Sequence, residues 1–353
     1  MATTASQATG RPRRAGLAGR ALNLPPVSFF VVSAVFHYLG PALAVLLFAH
    51  VTALGVMWLR VAAAAAVFAV WRRPWRLAVR LDRRQRVTLL ALGLVLAAMN
   101  ALFYLAIARL PLATVGAIEF LGTVVLAALG ARNRRNLAAL VLTVAGVAAL
   151  TAVQVEAQPL GIALAFGNCA GFMLYVVLGH RVANTRVAGT AATGTLAAID
   201  QLGTAMLIAA VAATPVGLGA AIPAFTHPAW LGWGVGVGVC SSVIPYVMDQ
   251  LAMARLPRAT FALMLALLPA FAAITGAVVL GQVPTARELA GIGLVIVGVA
   301  LHRADAAGDS AKGRARVPGS AAPPSPAARA ARRSAGGTAG PRSPRPRRAR
   351  PRR

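Results

Sequence analysis

Five side chains interrupt stretches that are otherwise apolar: His37, Arg60, Glu119, Asp200 and Asp249. The stretches around them run to about twenty residues, the length that crosses a hydrocarbon core of about 30 Å. A charge placed there costs about 2.5 to 3.5 kcal/mol on insertion scales, so each one implies a partner or a task. Arg60 and Glu119 are each the ninth residue of a run entering from one side, which sets both about 12 Å deep at 1.5 Å per residue. They can pair. Asp200 is ninth in a run entering from the opposite side, and His37 precedes the kinking Pro41 by four residues, so both are expected in the same central slab.

Glu119 is the chemically most informative of these groups. Burial penalises its carboxylate while a nearby Arg60 favours it. A carboxyl held between those effects can release a proton when a cationic amine arrives and regain it when the amine leaves. Both acids head the same pattern, EFLGT at Glu119 and DQLGT at Asp200, which puts a glycine gap and a hydroxyl on the carboxyl's own helix face. Such a face suits a cavity or a close helix contact. No nucleophile and base are brought together by spacing, and HExxH, GxSxG and paired metal ligands are all missing from the sequence, so neither an enzyme nor a cofactor or metal site is read.

The elements that must carry these residues follow from composition. The chain has 353 residues, 58% of them hydrophobic and 12% charged, with a mean hydropathy of +0.72. That leaves too few polar side chains to cover a water-soluble globule. Ten apolar runs are expected to be helices, at about 27–48, 52–71, 87–109, 111–131, 136–153, 158–179, 192–214, 229–251, 257–280 and 286–302. The first is preceded by arginines but is too long for a cleaved leader, and an uncleaved helix is expected.

The net charge of +27 lies in loops and tails. With the N-terminus inside, the inner loops hold fourteen arginines and the outer loops two, Arg109 and Arg287. Positive loops stay cytoplasmic, so both termini are expected there. This pattern accounts for the basic excess without nucleic acid as a specific partner, and leaves membrane lipid as the neighbour of the basic segments. Residues 1–25, and residues 304–353 with thirteen basic and two acidic side chains, have the composition of disordered tails. Cys169 and Cys240 sit inside apolar runs as small hydrophobes, and no disulfide is expected.

LAIARLPLAT at Leu105–Thr114 returns as LAMARLPRAT at Leu251–Thr260, with eight of ten residues the same and an offset of 146 residues from one copy to the other. The likeness continues in the fifth and tenth runs, where Gly146 aligns with Gly298 once a six-residue insertion in the second loop is allowed. The chain therefore reads as two repeats, residues 27–153 and 158–302. Five helices per repeat is an odd number, so the second enters the membrane the opposite way up. Inverted repeats of this kind place a site near the midplane that opens to the two faces in turn. The repeat also matches Asn100 with Tyr246 and Tyr104 with Gln250, two polar pairs expected as gates at opposite ends or as interhelical hydrogen bonds.

With these residues in view, the chain resembles the drug/metabolite transporter superfamily, EamA type, and within it the threonine/homoserine exporter branch. The resemblance covers about residues 27–302. It rests on NALFYLAIARLPLATVGAIEFLG around Glu119, on Trp58–Arg60, and on PYVMDQLAMARLPRATFALMLALLPA. It differs at Leu268 and Gln282, where that family commonly carries acids. The resemblance implies an all-α, multi-pass inner-membrane protein that exports small metabolites such as amino acids, as monomer or homodimer, with protons as the candidate coupling ion. Multidrug or other metabolite permeases of the same superfamily are the alternative.

Overall fold

The computed structural model describes residues 25–73, 75, 81–130, 133–152, 157–183, 195–256, 264 and 267–315. Met1–Gly308 forms one unit and Asp309–Arg353 another, of which only the helical residues through Ala315 are described. The expected disordered N-terminus, most of the C-terminal tail and the start of the ninth apolar run lie outside these residues. Among the described residues the regular elements are all helices, as expected. In chain order they are α1 (Pro26–Leu47), α2 (Ala53–Arg72), α3 (Arg83–Ile107), α4 (Leu112–Gly130), α5 (Arg134–Thr151), α6 (Pro159–Ala183), α7 (Thr195–Thr226), α8 (Pro228–Gly238), α9 (Ile244–Arg255), α10 (Leu268–Leu280) and α11 (Ala286–Ala315). A π turn, Val239–Val243, joins α8 to α9.

Local chemistry sets several boundaries away from the apolar runs. α3 begins at Arg83 because Asp82 caps it: the Asp82 carboxylate accepts from the Gln85 amide at 2.8 Å, and the Gln85 side chain accepts from the Asp82 amide at 3.1 Å. This reciprocal box satisfies two donors that the first turn would otherwise leave open. Asn133 caps α5 in the same way, through the Asn136 amide at 2.6 Å. α7 carries on through Pro215 and Pro223 to Thr226, so no loop begins at residue 215. Proline is tolerated inside membrane helices because neighbours re-satisfy the freed carbonyls. α11 runs past the expected end near residue 302 into an alanine-rich stretch of high helix propensity.

Among the described residues, seven helices are long and apolar enough to cross a membrane, and the apolar segments Leu112–Leu126 and Leu268–Leu280 are shorter. Val211 on α7 and Val278 on α10 stay 73% and 79% exposed. Apolar side chains turned outward along helices of this length are the face a bilayer covers. The chain is a multi-pass membrane protein.

Small residues bring the helices close. α2 lies on α7, where a Cβ on Gly217 would strike Trp58 and one on Gly55 would strike the Ala220 carbonyl. Trp58 Nε1 donates to Thr214 Oγ1 across the same contact at 3.1 Å. α3 packs on α6 and α7, while α8, the π turn and α9 pack on α1 and α2. α4 meets α6 and α10, and α10 meets α1. α5 meets α11 through its glycines: a Cβ on Gly146 would come to 2.6 Å from the Gly291 carbonyl, and one on Gly298 to 2.8 Å from the Ala139 carbonyl. Gly146 and Gly298, aligned positions of the two repeats, each lie in this helix contact, the usual use of small residues in membranes.

That contact leaves no room for a side chain. Gly298→Leu is expected to lower thermal stability in detergent by about 1 to 3 kcal/mol, the usual cost of overpacking. Gly179→Ala, at a position with open space around it, should leave the melting temperature unchanged. Equal melting temperatures for the two variants would place the α5 and α11 contact elsewhere.

Candidate functional site

The site grows out of one irregularity. Pro245 has no N–H to return to the preceding turn, and over Val239–Val243 the ladder widens to the π register. The Ser241 carbonyl, four residues before Pro245, loses its ordinary α-helical donor. Arg60 on α2 supplies another: Nη2 donates to the Ser241 carbonyl at 3.3 Å and Nε to the Ser242 hydroxyl at 3.0 Å. On the far side of the same proline, the Ser33 hydroxyl of α1 donates to the Pro245 carbonyl at 3.2 Å. A Cβ on Gly40 or Gly238 would collide with Ser241 or with the Arg60 backbone, so these glycines let α1 and α2 close on the turn.

Arg60 is 7% exposed and its guanidinium carbon lies 5.4 Å from the centre of the Tyr104 ring. A cation over an aromatic face gains from the ring quadrupole, more so away from water. Tyr104 is fully buried, and its hydroxyl, close to Ser241 and Arg60, makes no hydrogen bond of normal geometry. His37 has Arg60 as its charged neighbour and meets Tyr38 edge-on at 5.2 Å. Tyr246 on α9 has Arg60, Glu119, Asp249 and Tyr104 around it. Five of the residues singled out from sequence, His37, Arg60, Tyr104, Glu119 and Tyr246, are therefore gathered at one place.

The expected ion pair between Arg60 and Glu119 is not formed. Arg60 spends two donors on Ser241 and Ser242, and Glu119 Oε2 instead accepts from Asn168 Nδ2 of α6 at 3.1 Å. Equal depth sets two residues at one height but leaves open which way each helix turns them. Asn168, 1% exposed, is the residue sequence reasoning missed. Its signal was an amide inside the apolar run GNCAG. The glycine of EFLGT serves contact rather than space: a Cβ on Gly122 would sit 2.9 Å from Cys169 Sγ.

Asp200 is held elsewhere. Arg72, the last residue of α2, grips it in a two-pronged ion pair, Nε to Oδ1 at 2.7 Å and Nη2 to Oδ2 at 3.1 Å. Asp200 lies level with Arg72, the last residue of α2, near the start of α7 and not in the central slab. Asn100 uses its amide on its own helix, donating to the Leu96 carbonyl at 2.7 Å. The Gln250 side chain lies outside the described residues. A cleft of about 180 Å³ lies apart from Arg60, lined by Thr114 at the start of α4, Gln282 after α10 and Glu288 on α11, among others. Gln282 Oε1 accepts there from the Leu112 amide at 3.1 Å.

Arg60, Glu119 and two tyrosines thus meet inside apolar helices, with no group of metal ligands among the described residues. The chain belongs to the EamA-like transporter family of the drug/metabolite transporter superfamily, in the branch of the threonine/homoserine exporters. The family's profile, described as EamA-like transporter family, matches residues 160–303. Threonine/homoserine exporter RhtA of Escherichia coli K12 is 32% identical over 274 residues, covering 77% of this chain and 88% of the relative. Its counterpart in Salmonella typhimurium LT2 is 34% identical over 260 residues, covering 73% and 84%. A solved structure described as "Crystal structure of protein" aligns at a TM-score of 0.47 and 17% identity, covering 78% of this chain and 96% of that one. Membership places the chain among membrane transporters and not among enzymes.

Replacing Pro245 by Ala restores an N–H that competes for the Ser241 carbonyl. The variant is expected to melt no lower than the parent while transport falls about tenfold, the worth of one charge-assisted hydrogen bond. Undiminished transport by Pro245→Ala would separate the π turn from the site.

Proposed function

We propose that this protein exports small amino-group solutes, amino acids of the threonine and homoserine kind first, across the inner membrane by alternating access of a central site around Glu119. The observation that carries the reading is Glu119 itself. It is an acid within an apolar helix whose hydrogen-bond partner is a neutral amide, with Arg60 near but engaged elsewhere. Such a carboxyl is stable when protonated or when an ammonium lies on it, and exchanging one for the other moves a proton against a solute. The names of the relatives supply the solute class, since amino acids present an ammonium to Glu119 and a carboxylate to Arg60.

Alternation is supported by the way the helices pair. Under the repeat, α3 on α6 corresponds to α8 and α9 on α1, α4 on α6 corresponds to α10 on α1, and the contacts of α2 with α7 and α4 with α10 map onto themselves. That pattern is what two copies related by a twofold axis would make, and with the arginine asymmetry of the loops it supports ten crossings with both termini inside. Tyr104 and Tyr246 then line the centre together, in place of gates at opposite ends.

Glu119→Gln keeps shape and removes the charge. It is expected to reach the membrane in normal amount and to export little, whereas Glu119→Asp keeps partial activity. Efflux from a strain lacking the native exporter measures both, and normal efflux with an unchanged pH profile in Glu119→Gln would move the site elsewhere. For topology, a reporter placed after Ala315 should read cytoplasmic and one at His227, between α7 and α8, external. Both on one side would rule out the inverted arrangement.

A further inference from the structure

The cleft of about 180 Å³ at the start of α4 is shaped by a glycine turn. Gly281, at φ 67°, ends α10 in the left-handed region, where a missing Cβ removes the clash that other residues meet. The turn brings the Gln282 amide back to the Gly276 carbonyl at 3.0 Å and sends the Gln282 side chain across to α4. A Cβ on Gly276 would come to 3.0 Å from Gln282 Oε1, so that glycine leaves the side chain its place. Gln282 Oε1 then accepts from the Leu112 N–H at 3.1 Å, one of the donors that a helix start leaves open.

Other donors remain beside it. The Ala113 N–H, next in the first turn of α4, has no acceptor among the described residues. Thr114 lines the cleft at 1% exposure, and its buried hydroxyl has no partner among the described residues. Gln282 spends its oxygen on Leu112 and keeps its side-chain N–H groups. Free donors at a helix start favour a negative group.

The same cleft holds an acid. Glu288 of α11 gives Oε2 to its own helix start, accepting from the Thr285 N–H at 2.7 Å and from Thr285 Oγ1 at 2.9 Å. Its Oε1 has no partner among the described residues. A bare anion drawn to the donors of α4 would be repelled by this carboxylate. A zwitterion suits both. Leu150 and Ala273, 2% and 7% exposed, add apolar surface for a short side chain. An engineered cavity of about 150 Å³ holds benzene, and a small amino acid is of the same order of size.

We propose that this cleft is a second solute site, on the outer face, that takes a small α-amino acid as its zwitterion. Ala113, Thr114 and Gln282 hold the carboxylate and Glu288 the ammonium, so the occupant touches α4 of the first repeat and α11 of the second. It shares no residue with the site around Glu119. The choice of face and of solute rests on the export reading above.

The test uses the full chain in intact cells, with Val283→Cys on the rim of the cleft, where the parent valine is 79% exposed. Labelling by a membrane-impermeant maleimide is measured above that of the parent, which carries Cys169 and Cys240. External threonine is expected to slow it. 3-Hydroxybutyrate, which lacks the amino group, and 1-amino-2-propanol, which lacks the carboxylate, should not. Thr114→Val keeps the shape and removes the hydroxyl, while Glu288→Gln removes the charge and can still close the capping box. Each should raise the threonine concentration that halves labelling by about tenfold, the worth of one hydrogen bond to a charged group, with melting temperatures unchanged. The proposal is overturned if Val283→Cys is not labelled from outside, if threonine gives no protection, if either analogue protects as well as threonine, or if either substitution leaves protection unchanged. Glu119→Gln separates the two readings. Protection that persists there while export is lost supports both, and protection lost together with export sinks this inference alone. Normal export with protection retained sinks the site around Glu119 and leaves the cleft.

Discussion

Everything at the centre of this protein depends on how one buried guanidinium is satisfied. Arg60 is held by a backbone carbonyl and a hydroxyl of Ser241 and Ser242, not by an acid. A buried cation must have partners, and a carboxylate would have been the usual choice. Because neutral groups do the work, the site's acids keep their own charge balance open. The same contact ties α2 of the first repeat to the π turn of the second, a buried polar link between the halves beside the Arg72–Asp200 ion pair. A movement of one half against the other must carry Arg60 with it.

Much of the architecture was legible. Runs of about twenty apolar residues and the arginine-rich loops announced a multi-pass membrane bundle, and residues 27–302 already resembled the family the chain belongs to. Boundaries were less so, because capping by Asp82 and the passage of α7 through two prolines depend on local hydrogen bonds that hydropathy does not see. The shift in α7 had a consequence for chemistry. With α7 extended to Thr226, Asp200 stands near the start of the helix and not at mid-depth, where Arg72 at the end of α2 finds it.

At the site, residue types could be read and partners could not. Glu119, Arg60, His37, Tyr104 and Tyr246 were each conspicuous as polar groups in apolar runs, and they do meet. Their pairing depends on the rotation of each helix about its axis, which spacing along one helix cannot supply for its neighbour. Asn168 and the two serines ahead of Pro245 were invisible for a simpler reason. Uncharged polar residues are common in membrane helices, and only the finished packing shows which of them faces a charge.

The two repeats are alike in sequence but not in register. α3 runs unbroken from Arg83 to Ile107, whereas its counterpart is interrupted by the π turn between α8 and α9. A π turn is, in effect, a helix holding one residue too many, and each residue turns the chain about 100° around the axis. Everything after Val243, including Tyr246 and Asp249, is therefore rotated by that amount relative to an unbroken helix. The residues beyond the π turn thus present to the centre an edge that the same sequence in an unbroken helix would turn elsewhere.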